Sequence, residues 1–328
     1  MYAFILIVLC FAAAAYLNNA LSYSIGSVVG VEQSLTDVAS PMRYLTSKTV
    51  RVAKNYEPPP AQWGTSRYNV QTAIVNEKVN LVYQFPLIGK EKSIFSTDLI
   101  PSTVSSIVDR FGVKSAFIEN EPEGVLFRVP LDPVERHQFE SDLREGAWVI
   151  NDHGDVEVEY AKLLWDSREL VKPIAAHVVN ELTRLGRDGY FNRVQAVLNF
   201  VQFIPYGQPN FDHQDFSYFG VSLPPESLVL NYSDCDSKSL LFATILSHLI
   251  DEKNIVLVLC NVTSKEDKPE RHMMVGVKGL GISGGRTVVF NRSDFLLLET
   301  TQPSAIGSWD WKTFDLESVI PMTNGLSQ

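Results

Sequence analysis

Cysteine is scarce in this chain, with only Cys10, Cys235 and Cys260 among 328 residues. Three thiols so placed exclude a disulfide framework, and their spacing fits no zinc knuckle. Runs of Lys or Arg are also missing, and 28 basic against 38 acidic side chains give a formal net charge of -10 at pH 7. Nothing of that kind tracks a phosphate backbone, so nucleic acid is not an expected partner. With 45% hydrophobic and 20% charged residues, the composition also excludes wholesale disorder, collagen and a multi-pass membrane bundle. At roughly 100 to 200 residues per domain, the length accommodates two modest domains, or one large domain with appendages.

Charged side chains are absent throughout residues 1–31, whose most apolar part is Tyr2-Ala-Phe-Ile-Leu-Ile-Val-Leu-Cys-Phe-Ala-Ala-Ala-Ala-Tyr-Leu17. A cleaved signal peptide has a basic start, which is lacking here, and small residues before the cut, which Ala12 to Ala15 and Ala20 supply. A spanning helix wants about 17 to 25 apolar residues, a length reached if the run continues through Leu21 and Ser22. Residues 1–31 therefore read as an N-terminal hydrophobic helix that is a signal anchor or a signal peptide. The expected body is exported or membrane-anchored and extracytoplasmic, in the periplasm or cell envelope. Residues 32–67, ending in Glu57-Pro-Pro-Pro-Ala-Gln-Trp-Gly64, read as a linker of extended backbone.

Residues 68–165 carry strand-like runs, Lys78-Val-Asn-Leu-Val-Tyr-Gln-Phe85 and Gly124-Val-Leu-Phe-Arg-Val129, with helices expected at 102–111 and 133–145. They predict a small α+β domain. His137 and His153 have no partner ligand at helical or strand spacing and read as surface or core residues. Beyond Trp165 two helices are expected, at 168–185 and 191–203, broken by Gly186-Arg-Asp-Gly189. An irregular loop containing Pro205, Pro209, Pro224 and Pro225 leads to a further helix. Strands are then expected at 255–260, 272–278, 287–290 and 295–300. The order predicts a second α+β domain at 166–328, with an antiparallel sheet against a central helix.

Ser233-Asp-Cys-Asp236 fits the Ser-x-x-Asp/Glu capping pattern and precedes an apolar helical face of Leu240, Leu241, Ala243, Thr244 and Leu246. Cys235 is thus expected in a first helical turn, where the helix dipole and free N–H groups favour thiolate and can hold an oxyanion. His272 opens the strand His-Met-Met-Val-Gly-Val-Lys278, and Glu299 closes Phe-Leu-Leu-Leu-Glu299. A cysteine nucleophile needs a base, and the base needs an acceptor on its other ring nitrogen. Cysteine, histidine and glutamate in that order supply those roles if the sheet brings the strands beside the helix terminus.

Several spaced blocks resemble the transglutaminase-like cysteine protein superfamily, in its bacterial and archaeal peptidase-like branch. They are Phe200-Val-Gln-Phe-Ile-Pro-Tyr206, Leu223-Pro-Pro-Glu-Ser-Leu228, Ser233-Asp-Cys-Asp-Ser-Lys-Ser-Leu-Leu241, His272-Met-Met-Val-Gly-Val277 and Leu298-Glu-Thr-Thr301, with Ile306-Gly307 beyond. The likeness runs over residues 168–311. It implies a papain/transglutaminase-like domain in which Cys235 is the nucleophile, His272 its base and Glu299 the orienting member, in place of the commoner aspartate. Ser233 stands where a glycine is common, and Met274 where an aromatic often follows the histidine. Catalytically idle binding modules also occur in this superfamily.

Two other signals carry less. Gly279-Leu-Gly-Ile-Ser-Gly284 is a literal G-x-G-x-x-G, but the following Arg286-Thr-Val-Val-Phe290 reads as a strand, so it is expected as a hairpin loop and not a dinucleotide site. Asp212-His213-Gln-Asp215 lacks further Cys or His partners and reads as a solvated turn. No cofactor or metal is expected. Cys260, ending the apolar run Ile255-Val-Leu-Val-Leu-Cys260, is expected as a buried thiol, with a disulfide to Cys235 left open. The sequence thus predicts a thiol enzyme acting on a protein or peptide substrate, with an inactive binding module in the cell envelope as the alternative.

Overall fold

A computed structural model of the chain describes residues 4–6, 69–75, 78–99, 103, 107, 110–114, 118–121, 124–130, 132–150, 156–207, 216–217, 221–230, 232–263, 269–308 and 311–323. The fold is α+β, and the described elements fall into two compact units.

The first unit holds strands β1 (Phe4–Leu6), β5 (Val113–Lys114), β6 (Ile118–Glu121), β7 (Gly124–Pro130), β8 (Trp148–Ile150), β9 (Val156–Val158) and β10 (Phe216–Ser217), with helix α1 (Pro133–Glu145). The Asp132 carboxylate caps α1 by accepting from the Val134 and Glu135 N–H groups, and Pro133 occupies the first turn, where no N–H is needed. Phe139 and Leu143 form its buried face, and Phe111 stacks on Trp148 at 6.2 Å. Where the sequence predicts a helix, Phe4–Leu6 pairs antiparallel with β7. The β-branched isoleucine at its centre suits a strand. The remainder of 1–31, the linker at 32–67 and His153 lie outside the described residues. Of the helix expected at 102–111, Thr103 and Ile107 are described, and both are helical. Among the described residues no helix is long and apolar enough to cross a membrane.

The second unit begins with β2 (Asn69–Val75), β3 (Lys78–Pro86) and β4 (Lys92–Leu99), an antiparallel sheet in the order β2-β3-β4. Helix α2 (Tyr160–Arg184) starts earlier than expected and buries a stripe at Leu164, Ser167, Val171, Ile174, Val178 and Leu182. It stops at Gly186, whose positive φ (66°) lets the Gly186 and Arg187 N–H groups bond back to Thr183 and Leu182. Helix α3 (Tyr190–Phe203) follows, then α4 (Pro224–Leu230) and α5 (Cys235–Leu246). Helix α4 falls where the sequence reads as irregular. Its two prolines sit at the start, where they cost little, and the Glu226 carboxylate accepts from the Leu223 N–H.

The units do not divide at 165/166. Strands β2 to β4 belong with the helices of the second unit because β3 supplies their aromatic packing. Phe200 of α3 meets Tyr83 and Phe85 edge to face at 5.5 and 5.0 Å, and the Tyr83 hydroxyl donates to the Leu228 carbonyl at 2.9 Å. This hydrophobic layer was hidden in the sequence, since alternating strand residues do not name their partner.

The chain ends in a five-stranded antiparallel sheet of β11 (Ile255–Thr263), β12 (Pro269–Lys278), β13 (Thr287–Phe290), β14 (Ser293–Leu298) and β15 (Thr313–Pro321), in the order β13-β14-β12-β11-β15. The last strand, mostly half-exposed, lies beyond the strands that the sequence predicts. Helix α5 is buried all round, between this sheet and α2, α3 and α4, which is why its apolar residues show no single face. The glycine-rich run at 279–284 forms the β12–β13 connection, with positive φ at Gly279, Gly281 and Gly284 and no helix after it.

At Gly276 of β12 the neighbouring strands come too close for a side chain. A Cβ there would lie 2.6 Å from Val256 Cγ2 and 3.0 Å from Phe295 Cβ. Gly276→Ala is expected to cost about 1–3 kcal/mol by overpacking, read as a lower urea midpoint. An unchanged midpoint would mean that β11 and β14 separate freely.

Candidate active site

Cys235 is the first residue of α5, and Asp234 is its cap, accepting from the Ser237 N–H. The capping pattern predicts Ser233 in that role. Instead Ser233 is buried, its hydroxyl 3.0 Å from Ser227 Oγ and 3.3 Å from Ser222 Oγ, and its backbone exchanges bonds with Pro205 and Gly207. That places Asp234, one residue later, at the helix entrance. The first-turn position leaves the Cys235 N–H among the groups without an intrahelical acceptor.

The Cys235 thiol is 9% exposed and accepts the Met273 backbone N–H. The residue beside the histidine therefore touches the sulfur. Ser239, one turn along α5, fixes this contact: its hydroxyl donates to the Met273 carbonyl (3.1 Å) and lies 2.9 Å from Thr300 Oγ1. A single serine thus docks the helix on both the strand of His272 and the segment following β14.

His272 and Glu299 meet directly, with Nε2 2.9 Å from Glu299 Oε2 and both side chains about 6% exposed. Glu299 Oε1 accepts the Thr301 N–H at 2.7 Å and the Thr301 hydroxyl at 2.5 Å, while Oε2 also accepts Trp311 Nε1–H at 3.0 Å. The Trp311 ring lies 5.0 Å from the His272 ring. Gln202 of α3 donates to the Glu299 carbonyl (2.7 Å) and to the Ser304 carbonyl (3.0 Å). Nε2 is taken by the carboxylate, which leaves Nδ1 as the other ring nitrogen.

Electrostatics follow from this burial. Desolvation alone would raise Glu299, but His272 and Thr301 overcome it and hold the carboxyl at about 2. Desolvation likewise opposes charge on His272, and the Glu299 carboxylate outweighs it, leaving the imidazole above its ordinary 6.5. The thiol behaves otherwise than its helical position predicts. Burial pushes Cys235 well above the usual range, the Asp236 and Asp234 carboxylates add to this, and the Met273 N–H opposes them. A helix terminus supplies only about 0.3–1 kcal/mol, less than the burial of a thiolate beside two carboxylates demands. Burial therefore favours the neutral thiol over the thiolate.

Cys260 lies directly across from His272 in the β11–β12 register. Its sulfur donates to the His272 carbonyl at 3.4 Å, and burial pushes the thiol up to about 12. Cys235 and Cys260 are both free, so the disulfide left open by the sequence is not formed. Asp212, His213 and Asp215 lie outside the described residues, among which no group of three His, Cys, Asp or Glu side chains gathers as metal ligands. His137 is exposed on α1.

The structure joins His272 to Glu299 and sets Cys235 at the start of α5 against Met273, the residue after His272. The sequence reading passes over Trp311, Gln202 and Ser239, which bond to Glu299 or to the Met273 carbonyl, and over the buried Lys238. Trp311 belongs to no periodic element, and Lys238 between two serines reads as a solvated position, so neither carries a local signal. No family model and no curated protein matches this chain.

Proposed function

We propose that this protein is a thiol acyl-transfer enzyme, a cysteine peptidase or amidase of papain/transglutaminase-like fold, resembling the transglutaminase-like peptidases. The observation that carries the reading is the convergence on one buried helix terminus. There Cys235 Sγ accepts the N–H of Met273, whose neighbour His272 is bonded through Nε2 to Glu299.

In this reading Cys235 Sγ bonds to an amide carbonyl carbon while its proton passes to His272 Nδ1. The oxyanion is held by the free N–H at the start of α5. The C–N bond then breaks as Nδ1 returns the proton to the leaving amine, giving a thioester. Water, its proton taken by His272, releases the carboxylic acid and restores the thiol. Hydrolysis is the simpler outcome for a protein or peptide substrate. The uncharged apolar segment at 1–31 makes an exported or membrane-anchored, extracytoplasmic body part of the proposal.

Alkylation of Cys235 by iodoacetamide in the full chain, followed on the Cys235 peptide by mass spectrometry against pH, tests the reading. With the imidazole above 6.5, reactivity is expected to rise as the thiol–imidazolium pair loses its first proton, at a lower pH than for the thiol alone. In His272→Ala the midpoint should move above about 8.5, the ordinary thiol value. A single slow profile common to both proteins would end the enzyme reading. It would favour the catalytically inactive binding module, which the raised Cys235 thiol also fits.

A further inference from the structure

Lys238 lies three residues after Cys235 on α5 and is completely buried. Its Nζ donates to the Ile204 carbonyl at 2.6 Å, just past α3, and to the Thr301 carbonyl at 3.1 Å. Thr301 in turn donates twice to Glu299 Oε1, and Glu299 Oε2 holds His272. A continuous path therefore runs from the helix of the nucleophile, through one ammonium, to the carboxylate that orients the base.

Burying an ammonium is costly unless its hydrogen bonds are made. A methionine would fill the same space at less cost, so the lysine matters here for its donors. Both of its bonds go to main-chain carbonyls and neither goes to the thiol, which excludes direct proton exchange with Cys235. Glu299 and Asp234 are the carboxylates facing it through space. Burial outweighs them and brings the amine down to about 7.

We propose that Lys238 is a positioning residue, tying the Thr301 segment to the first turns of α5 so that Glu299 meets His272 in line. This rests on the reading of Cys235, His272 and Glu299 as a triad. In the absence of Lys238 the Glu299 carboxylate loses its alignment and His272 loses the partner that keeps it protonated.

The test is an NMR titration of the His272 imidazole in full-length wild-type protein and in Lys238→Met, with Cys235 alkylation followed beside it. Positioning predicts that the His272 midpoint falls by about one unit, a tenfold loss of proton affinity. Removing a nearby positive charge would by Coulomb's law raise it. A rise or no change overturns the proposal. If Lys238→Met does not fold, the Lys238 ammonium is read in the wild type by 1H–15N spectroscopy. Slowly exchanging ammonium protons coupled to the Ile204 and Thr301 carbonyls support the assignment, and freely exchanging ones overturn it. Failure of the triad reading looks different: the His272 midpoint falls in Lys238→Met while Cys235 alkylation is indifferent to His272.

Discussion

Glu299→Gln is expected to drop the His272 midpoint from above 6.5 to below it, and to destabilise the protein by about 3–5 kcal/mol near pH 5.5. The substitution keeps the shape and removes the charge. Burial is then the main influence left on the imidazole, and it lowers the midpoint. The cost is large because the carboxylate satisfies four donors, from His272, the Thr301 backbone, the Thr301 hydroxyl and Trp311. The amide nitrogen of glutamine turns one of those acceptor sites into a donor. An NMR titration and urea unfolding read the two effects. An unmoved midpoint would mean that Glu299 does not govern the base.

The same pair sets a stability window. Glu299 is depressed to about 2 from its ordinary 4.5, so its contribution is complete above about pH 4.5 and fades as the pH falls toward 2. His272 is raised, so its contribution is complete below about 6.5 and is lost as the pH climbs through the raised value. Both act in full only between roughly pH 4.5 and 6.5. Glu299→Gln should therefore differ most from wild type inside that window and less at pH 9.

How far the sequence foretells this arrangement depends on whether the signal is local. The helix at Pro133–Glu145 announces itself through a proline in the first turn, and the strand pattern of β11 to β14 is carried by adjacent apolar residues. The proposed triad is legible because Cys235 sits at a capped helix and Glu299 just beyond β14, while His272 lies inside the strongly apolar strand β12. Its supports are not legible. Lys238 is buried among segments distant in sequence, bonding the carbonyls of Ile204 and Thr301, and Trp311 reaches Glu299 from a segment without repeat. The fine position of the cap is settled by Ser233 finding buried serine partners from α4 and the segment before it. Such long-range choices override a local pattern.

Phe200→Ala should lower stability by about 3–5 kcal/mol and loosen β3 together with the helices, as one cooperative event. Phe200 is wholly buried on α3, and its ring stands edge to face against both Tyr83 and Phe85. Deleting it leaves a cavity bounded by two further aromatic rings, which cannot collapse without moving β3. Were residues 68–165 an independent domain, as their composition predicts, this substitution would leave amide exchange in β3 and β4 unchanged. Because Tyr83 also holds the Leu228 carbonyl of α4, the loss should pass to the helix packed on α5. Exchange should therefore accelerate at Tyr83 and Phe85, at Phe95, which stacks with Tyr83 at 6.2 Å, and around Leu228. The Cys235 alkylation rate should change in parallel, since α4 and α3 are two of the elements packed on α5, the helix that Cys235 opens. Faster exchange confined to α3 would show instead that the sheet and the helices unfold separately, and that the site stands on the helices and the C-terminal sheet alone.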